Sequence, residues 1–97
     1  MEKVAKFKDV KDKLCVTAKG ISLALFNING KIYCIQGKCS HSGGPLCQGK
    51  VDGKIVTCPW HGSKFDVVNG KLKIGPAVKD VKNYKVKIEG EDILVDL

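Results

Sequence analysis

Short runs of alternating apolar and polar residues, cut by pairs such as Asn29-Gly30, Asp52-Gly53, Asn69-Gly70 and Glu89-Gly90, recur from one end of the chain to the other. Such pairs put glycine where a tight turn needs a positive φ, and the segments between them are long enough only for strands. No window of about a dozen residues keeps a helical period, so the chain is predicted to be all-β. The predicted strands are Phe7–Val10, Leu14–Ala18, Ile21–Ile28, Lys31–Ile35, Lys54–Thr57, Lys64–Val67, Lys71–Ile74, Lys82–Ile88 and Ile93–Leu97. Asn29-Gly30 reads as the hairpin turn between the third and fourth, and Tyr84, Val86 and Ile88 are expected to face inward. A length of 97 residues, 43% of them hydrophobic, makes one domain with a modest core and leaves no room for a second.

All 17 basic residues are lysine, and against 10 acids they leave a net charge of +7. A basic chain raises the question of nucleic acid, but bidentate reading of guanine and stacked grips on phosphate are the work of arginine. No nucleic-acid partner is expected. Lysines at alternate positions, such as Lys85 and Lys87, read as solvated strand faces. Lys38, Lys50 and Lys64 lie beside loops, where they are either solvated or steer an acidic partner protein. Met1 to Val10 alternates charged and apolar residues and offers no run for a signal peptide or membrane anchor. The expectation is a soluble, cytoplasmic monomer without membrane contact.

Two stretches resist the strand reading, Gly37 to Gly49 and Cys58 to Ser63. They contain Cys39-Ser40-His41 and Cys58-Pro59-Trp60-His61, with 16 residues between His41 and Cys58, and so hold both histidines of the protein. An isolated cysteine is usually a small buried hydrophobe and an isolated histidine a surface imidazole. Here that reading requires both histidines and two cysteines to fall by chance into matched short spacings. Five cysteines is an odd number, and in a reducing compartment a disulfide framework explains them poorly. Metal ligation is the better reading, since thiolate and imidazole suit iron and zinc. Zinc fingers draw a cysteine pair from one segment and a histidine pair from another, whereas each loop here supplies one of each. That order favours a two-iron centre with thiolates on one iron and imidazoles on the other, with zinc second. Cys15 and Cys34, within strand patterns, are expected in the core, and Cys47 as a small buried side chain.

The runs Cys39-Ser40-His41-Ser42-Gly43-Gly44-Pro45-Leu46 and Cys58-Pro59-Trp60-His61-Gly62-Ser63-Lys64-Phe65-Asp66 resemble the two cluster loops of Rieske proteins. Gly75-Pro76-Ala77 is similar to that family's proline loop. The resemblance implies a Rieske fold of stacked antiparallel sheets, a single domain over residues 1–97, with a small cluster-binding subdomain at about residues 37–76. It implies one 2Fe-2S cluster, with Cys39 and Cys58 on the inner iron and His41 and His61 on the outer one, and supporting roles for Ser63, Trp60, Phe65 and Pro76. The implied function is one-electron transfer from a reductase to an oxygenase or other acceptor. Both histidines are then committed, so the chain has no second iron site and is not expected to be an enzyme itself. A zinc-stapled interaction module and the small subunit of a nitrite-reductase-like assembly are the alternatives.

Rieske subunits of quinol-oxidising complexes, which this chain also resembles, carry an extra cysteine in each loop, joined as a disulfide. Gly44 and Trp60 stand there in this chain, and Cys47 lies three residues beyond the first of those positions, so no bridge between the loops is expected. The same relatives have a serine and a tyrosine that donate to cluster sulfurs. Ser63 keeps the first, but Phe65 replaces the second, which implies a potential in the lower part of the range of about −150 to +300 mV.

Overall fold

Asn29 and Gly30 both adopt positive φ, 54° and 87°, as a two-residue hairpin turn demands, and the strands beside them pair from Leu23 with Gln36 to Ile28 with Lys31. This hairpin is the centre of the molecule. The structure, a computed structural model, describes residues 1–97. Its strands are β1 (Glu2–Lys6), β2 (Lys13–Ala18), β3 (Ile21–Ile28), β4 (Lys31–Gln36), β5 (Lys50–Asp52), β6 (Ile55–Thr57), β7 (Lys64–Asp66), β8 (Leu72–Ile74), β9 (Asn83–Tyr84), β10 (Val86–Glu89) and β11 (Asp92–Val95). Two 3-10 helices, Phe7–Asp9 and Leu46–Gln48, complete the secondary structure. Three antiparallel sheets result, ordered β1-β11-β10, β2-β3-β4-β9 and β5-β6-β7-β8.

Alternation along β3 explains how the sheets stack. Leu23 and Leu25 enter one core with Val10, Ile32, Cys34, Ile93 and Val95. Ala24 and Phe26 point the other way, into a second core with Ile35, Leu46, Val56 and Phe65. The central sheet is therefore covered on both faces, by β11 on one side and by β6 and β7 on the other. A strand buried on both faces reads as a nearly unbroken apolar run, as Ile21–Ile28 does.

Four expectations change at the elements where local pattern and long-range packing disagree. Phe7–Val10 is not a strand. Phe7 N–H donates to the Glu91 carbonyl at 2.7 Å, but Val10 N–H turns back onto the Phe7 carbonyl, and the Val10 side chain drops into the core at 1% exposure. The strand lies just before it, as β1, where a bulge between Lys3 and Ala5 leaves Val4 and Ala5 both half-buried and breaks the alternation. Lys50–Asp52, left outside the predicted strands, pairs with β6. Lys82–Ile88 divides into β9, on the edge of the central sheet, and β10, in the first sheet. Tyr84 and Val86 are half-buried as expected, whereas Ile88, on an edge strand, is 42% exposed.

Candidate metal centre

The two cysteine loops are built as the same turn. In the first, Cys39 N–H donates to the Gly44 carbonyl at 2.8 Å and Gly43 N–H donates back to the Cys39 carbonyl at 2.9 Å. In the second, Cys58 N–H donates to the Ser63 carbonyl at 2.8 Å and Gly62 N–H to the Cys58 carbonyl at 3.1 Å. Each loop thus closes five residues after its cysteine and has a glycine at the fourth position, with φ of 77° at Gly43 and 82° at Gly62. Side chains with a β-carbon resist that conformation, which is why both positions are glycine. Histidine sits two residues after the cysteine in one loop and three after it in the other.

These turns sort the four candidate ligands by depth. Cys39 and Cys58 are free thiols, 4% and 2% exposed, in the same core as Phe65 and Leu46. His41 and His61 are exposed, with ring centroids 5.1 Å apart and planes at 80°. With metal–nitrogen bonds of about 2 Å, both imidazoles at that separation reach one ion. A Rieske-type two-iron centre takes two thiolates on one iron and two imidazoles on the other, and this site sorts its ligands into a buried thiol pair and an exposed imidazole pair. The donor chemistry therefore fits a 2Fe-2S group. A second observation agrees: the Ser42 hydroxyl, next to His41, is buried and has no partner within the protein. Buried polar groups rarely stay unpaired, and sulfide or thiolate sulfur would accept its proton.

A third segment, Gly75-Pro76-Ala77, is pinned to both loops. Ala77 N–H donates to the Ser63 hydroxyl at 2.9 Å, and the Ser40 hydroxyl donates to the Lys79 carbonyl at 2.7 Å. Ser63 is fully buried, and because its oxygen accepts from Ala77 its own proton remains available to a further acceptor. Pro76 is exposed, just ahead of these ties. The Trp60 ring lies against the first loop, where a β-carbon on Gly44 would stand 3.1 Å from its Cγ and 2.7 Å from Cys58 Sγ. Gly44 and Trp60 thus face each other across the two loops. Trp60 is still 59% exposed, and Ile74 at 56% and Val78 at 87%, on either side of the proline loop, are exposed apolar residues as well. Phe65 is fully buried, in the same core as both thiols. Of the three lysines beside the loops, Lys38 and Lys50 are exposed, while Lys64 is half-buried and its ammonium donates to the Thr57 hydroxyl at 2.8 Å.

Of the remaining cysteines, Cys34 and Cys47 are buried as expected and Cys15 is not. Cys34 is buried at 1% exposure, and burial pushes its thiol up to about 12. Cys47 is also buried, at 6%. Cys15 is not a core residue: it is exposed and forms a disulfide with Cys47, their Cα atoms 5.2 Å apart. In β2 the inward positions belong to Leu14, Val16 and Ala18, which pack against the first core, so Cys15 takes the opposite face. There it meets the 3-10 helix carrying Cys47. The expectation that the cysteines form no disulfide fails for this pair and holds for Cys34, Cys39 and Cys58, which are free.

Comparisons with known proteins agree with this geometry. Residues 1–85 match the model of the Rieske [2Fe-2S] domain. The chain is 37% identical over 86 residues to the ferredoxin component of the naphthalene 1,2-dioxygenase system of Pseudomonas aeruginosa, covering 89% of this chain and 83% of that protein. It is 37% identical over 86 residues to the biphenyl dioxygenase ferredoxin subunit of Pseudomonas sp. (strain KKS102), covering 88% and 79%. Among solved structures, the Sphingomonas yanoikuyae B1 ferredoxin superposes with a TM-score of 0.93 at 30% identity, covering 99% of this chain and 97% of that one. With the loops, the buried thiols and the exposed imidazoles in place, the chain belongs to the Rieske [2Fe-2S] domain family.

Proposed function

We propose that the protein is a one-electron carrier, with the Cys39 and Cys58 thiolates on the inner iron of one 2Fe-2S cluster and the His41 and His61 imidazoles on the outer one. The observation that carries this reading is the division of the site: two free thiols buried at 4% and 2% exposure beneath two exposed imidazoles 5.1 Å apart. Bound there, the group supplies a one-electron couple that is easier to reduce than an all-cysteine cluster, because imidazole replaces anionic thiolate. The chain's own residues do the rest. Matched turns hold the four side chains, Ser63 and Ser42 offer hydroxyl protons to sulfur, and the buried thiol side excludes water. Phe65 offers no hydroxyl, which favours a lower potential than in relatives with tyrosine there.

Electrons enter and leave at the imidazole edge, where a partner protein approaches over Trp60, Ile74 and Val78. The relatives are ferredoxin components of naphthalene and biphenyl dioxygenase systems, and by that kinship the donor is a reductase and the acceptor an oxygenase. The protein is a carrier in such a system and not its catalyst. Residues 1–97 act as a single domain, about residues 37–76 forming the cluster-binding part, and the working form is a monomer. No helix is long and apolar enough to cross a membrane. By kinship with the ferredoxin components of dioxygenase systems, we place the protein in the cytoplasm.

Anaerobically purified protein tests the reading directly. It is expected to be red-brown, to contain two irons and two acid-labile sulfides per chain, and after reduction to show an electron paramagnetic resonance signal centred below the free-electron value. His41→Ala and His61→Ala should each abolish that signal. A colourless protein with one zinc would sink the proposal.

A further inference from the structure

The Cys15–Cys47 pair lies outside the four-residue site, and one-electron transfer makes no use of it. It joins the edge strand of the central sheet to the helical turn that immediately follows the first cysteine loop. Leu46, beside Cys47, is fully buried, and its N–H donates to the Gly37 carbonyl at 2.8 Å, so this turn fixes the far end of the loop carrying Cys39 and His41. The polar contact beside the bridge is a single one, from Lys13 Nζ to the Gly49 carbonyl at 2.6 Å. The bridge is also asymmetric in access, since Cys15 is exposed whereas Cys47 is 6% exposed.

We propose that Cys15 and Cys47 form a second redox site, a two-electron thiol–disulfide pair that clasps the first cysteine loop onto β2. This rests on the proposed function only in that the clasped loop carries a cluster. Access sets the chemistry. An external dithiol attacks as its thiolate at the exposed Cys15 sulfur, the Cys15–Cys47 bond breaks, and Cys47 leaves as a thiolate that takes up a proton. The second thiol of the reductant then displaces Cys15 and closes as its own disulfide. Two electrons pass from the dithiol, which is oxidised, to the bridge, which is reduced to two thiols. A low-molecular-weight disulfide reverses the exchange. Buried Cys34 takes no part, because its thiol is not ionised at neutral pH and is out of reach.

Opening the bridge leaves the end of the first loop without a covalent tie to β2, held by buried Leu46 and its N–H bond to the Gly37 carbonyl, by the bonds from Gln48 N–H to the Pro45 carbonyl and Gly49 N–H to the Leu46 carbonyl, and by the Lys13 contact. The loop then separates from β2 more often, and retention of the cluster falls. The pair thereby couples the thiol balance of the surroundings to the lifetime of the carrier.

The experiment uses the holoprotein. One portion is treated with dithiothreitol without chelator, a second is left oxidised, and a third is reduced and then returned to oxidised glutathione. Each is alkylated under native conditions and mapped by mass spectrometry. The half-life of visible absorbance is read at one elevated temperature, and the far-UV circular dichroism melt is recorded alongside. Two adducts, on Cys15 and Cys47, are expected only in the reduced portion. The half-life should shorten about tenfold there and recover on reoxidation, and the melt should shift down with it. Cys15→Ser should match the reduced wild type with or without dithiothreitol. Labelling of Cys15 without reductant, or equal half-lives and melts in the oxidised and reduced wild type, would overturn the proposal. A colourless protein would overturn the proposed function instead, and the melt would still decide the clasp.

Discussion

Gly44→Ala adds one methyl group at the tightest point of the site. Gly44 is buried and its backbone lies outside the left-handed region, so the substitution brings no backbone strain and its effect is purely one of space. The new β-carbon would stand 2.7 Å from Cys58 Sγ and 3.1 and 3.2 Å from Cγ and Cδ2 of Trp60. Non-bonded contacts settle near about 3.5 Å or beyond, so the sulfur must retreat by roughly 0.8 Å. Metal–ligand distances tolerate about 0.2 Å, so Cys58 cannot make that retreat and keep its bond. The alternative is to move Gly44, but its carbonyl closes the first loop through the 2.8 Å bond from Cys39 N–H, and moving it displaces the other thiol. Overpacking of this kind costs about 1–3 kcal/mol, and at about 1.4 kcal/mol per tenfold the variant should retain its cluster roughly 5- to 150-fold less well. Iron and acid-labile sulfide per chain, and the half-life of visible absorbance against a chelator, read the effect. A Trp60→Ala change on top relieves the indole contacts but not the sulfur, so the double variant should remain impaired. A Gly44→Ala protein with full iron and a wild-type half-life would refute the reasoning, and complete rescue by Trp60→Ala would shift the cause from the sulfur to the indole.

Ser63→Ala removes both the acceptor of Ala77 N–H and a hydroxyl donor. It should cost about 1–3 kcal/mol in a denaturant titration, because a buried N–H loses its partner, and lower the midpoint potential by roughly 60 mV for each 1.4 kcal/mol by which the hydroxyl favours the reduced form. An unchanged potential would show that the proton is not given to the cluster. Ser42→Ala should also lower the potential, but with no loss of stability, since its hydroxyl anchors nothing in the protein; gained stability at an unchanged potential would mean that the hydroxyl is unpaired in the holoprotein too. The Cys34 thiol, raised from 9.0 to about 12, stays protonated in the folded state where the unfolded chain has already lost its proton. Its contribution is therefore complete below pH 9 and is lost as pH rises from 9 toward 12, by up to about 1.4 kcal/mol per pH unit. A Cys34→Ala variant whose stability falls as steeply over that window would contradict this.

Much of the site was legible before folding because its information is local. The Cys-x-His and Cys-x-x-His spacings and the proline loop are short runs, and Asn29-Gly30 states its turn in two residues. What the spacing concealed is that both loops are one turn, since that identity resides in backbone hydrogen bonds and in Gly43 and Gly62 rather than in the ligands. The exposure of Cys15 was within reach: Leu14, Val16 and Ala18 claim the inward face of β2, and period-two alternation turns the residue between them outward. Its bond to Cys47, across a separation of 32 residues, was not.

The amino-acid sequence by itself determined the all-β class, the central hairpin and the four candidate ligands, because each depends on neighbours a few residues apart. Only the tertiary structure decided which strand takes Glu2–Lys6 beside it, how Lys82–Ile88 is shared between two sheets, and that Ser40 and Ser63 tie the proline loop to both cysteine loops. It alone set the Trp60 ring on Gly44 and brought Cys15 to Cys47. The physical reason is the same for all of these. A strand pattern states which face of a segment is apolar, but the segment that covers that face is chosen by how three sheets stack around β3, and no local run of residues encodes that choice.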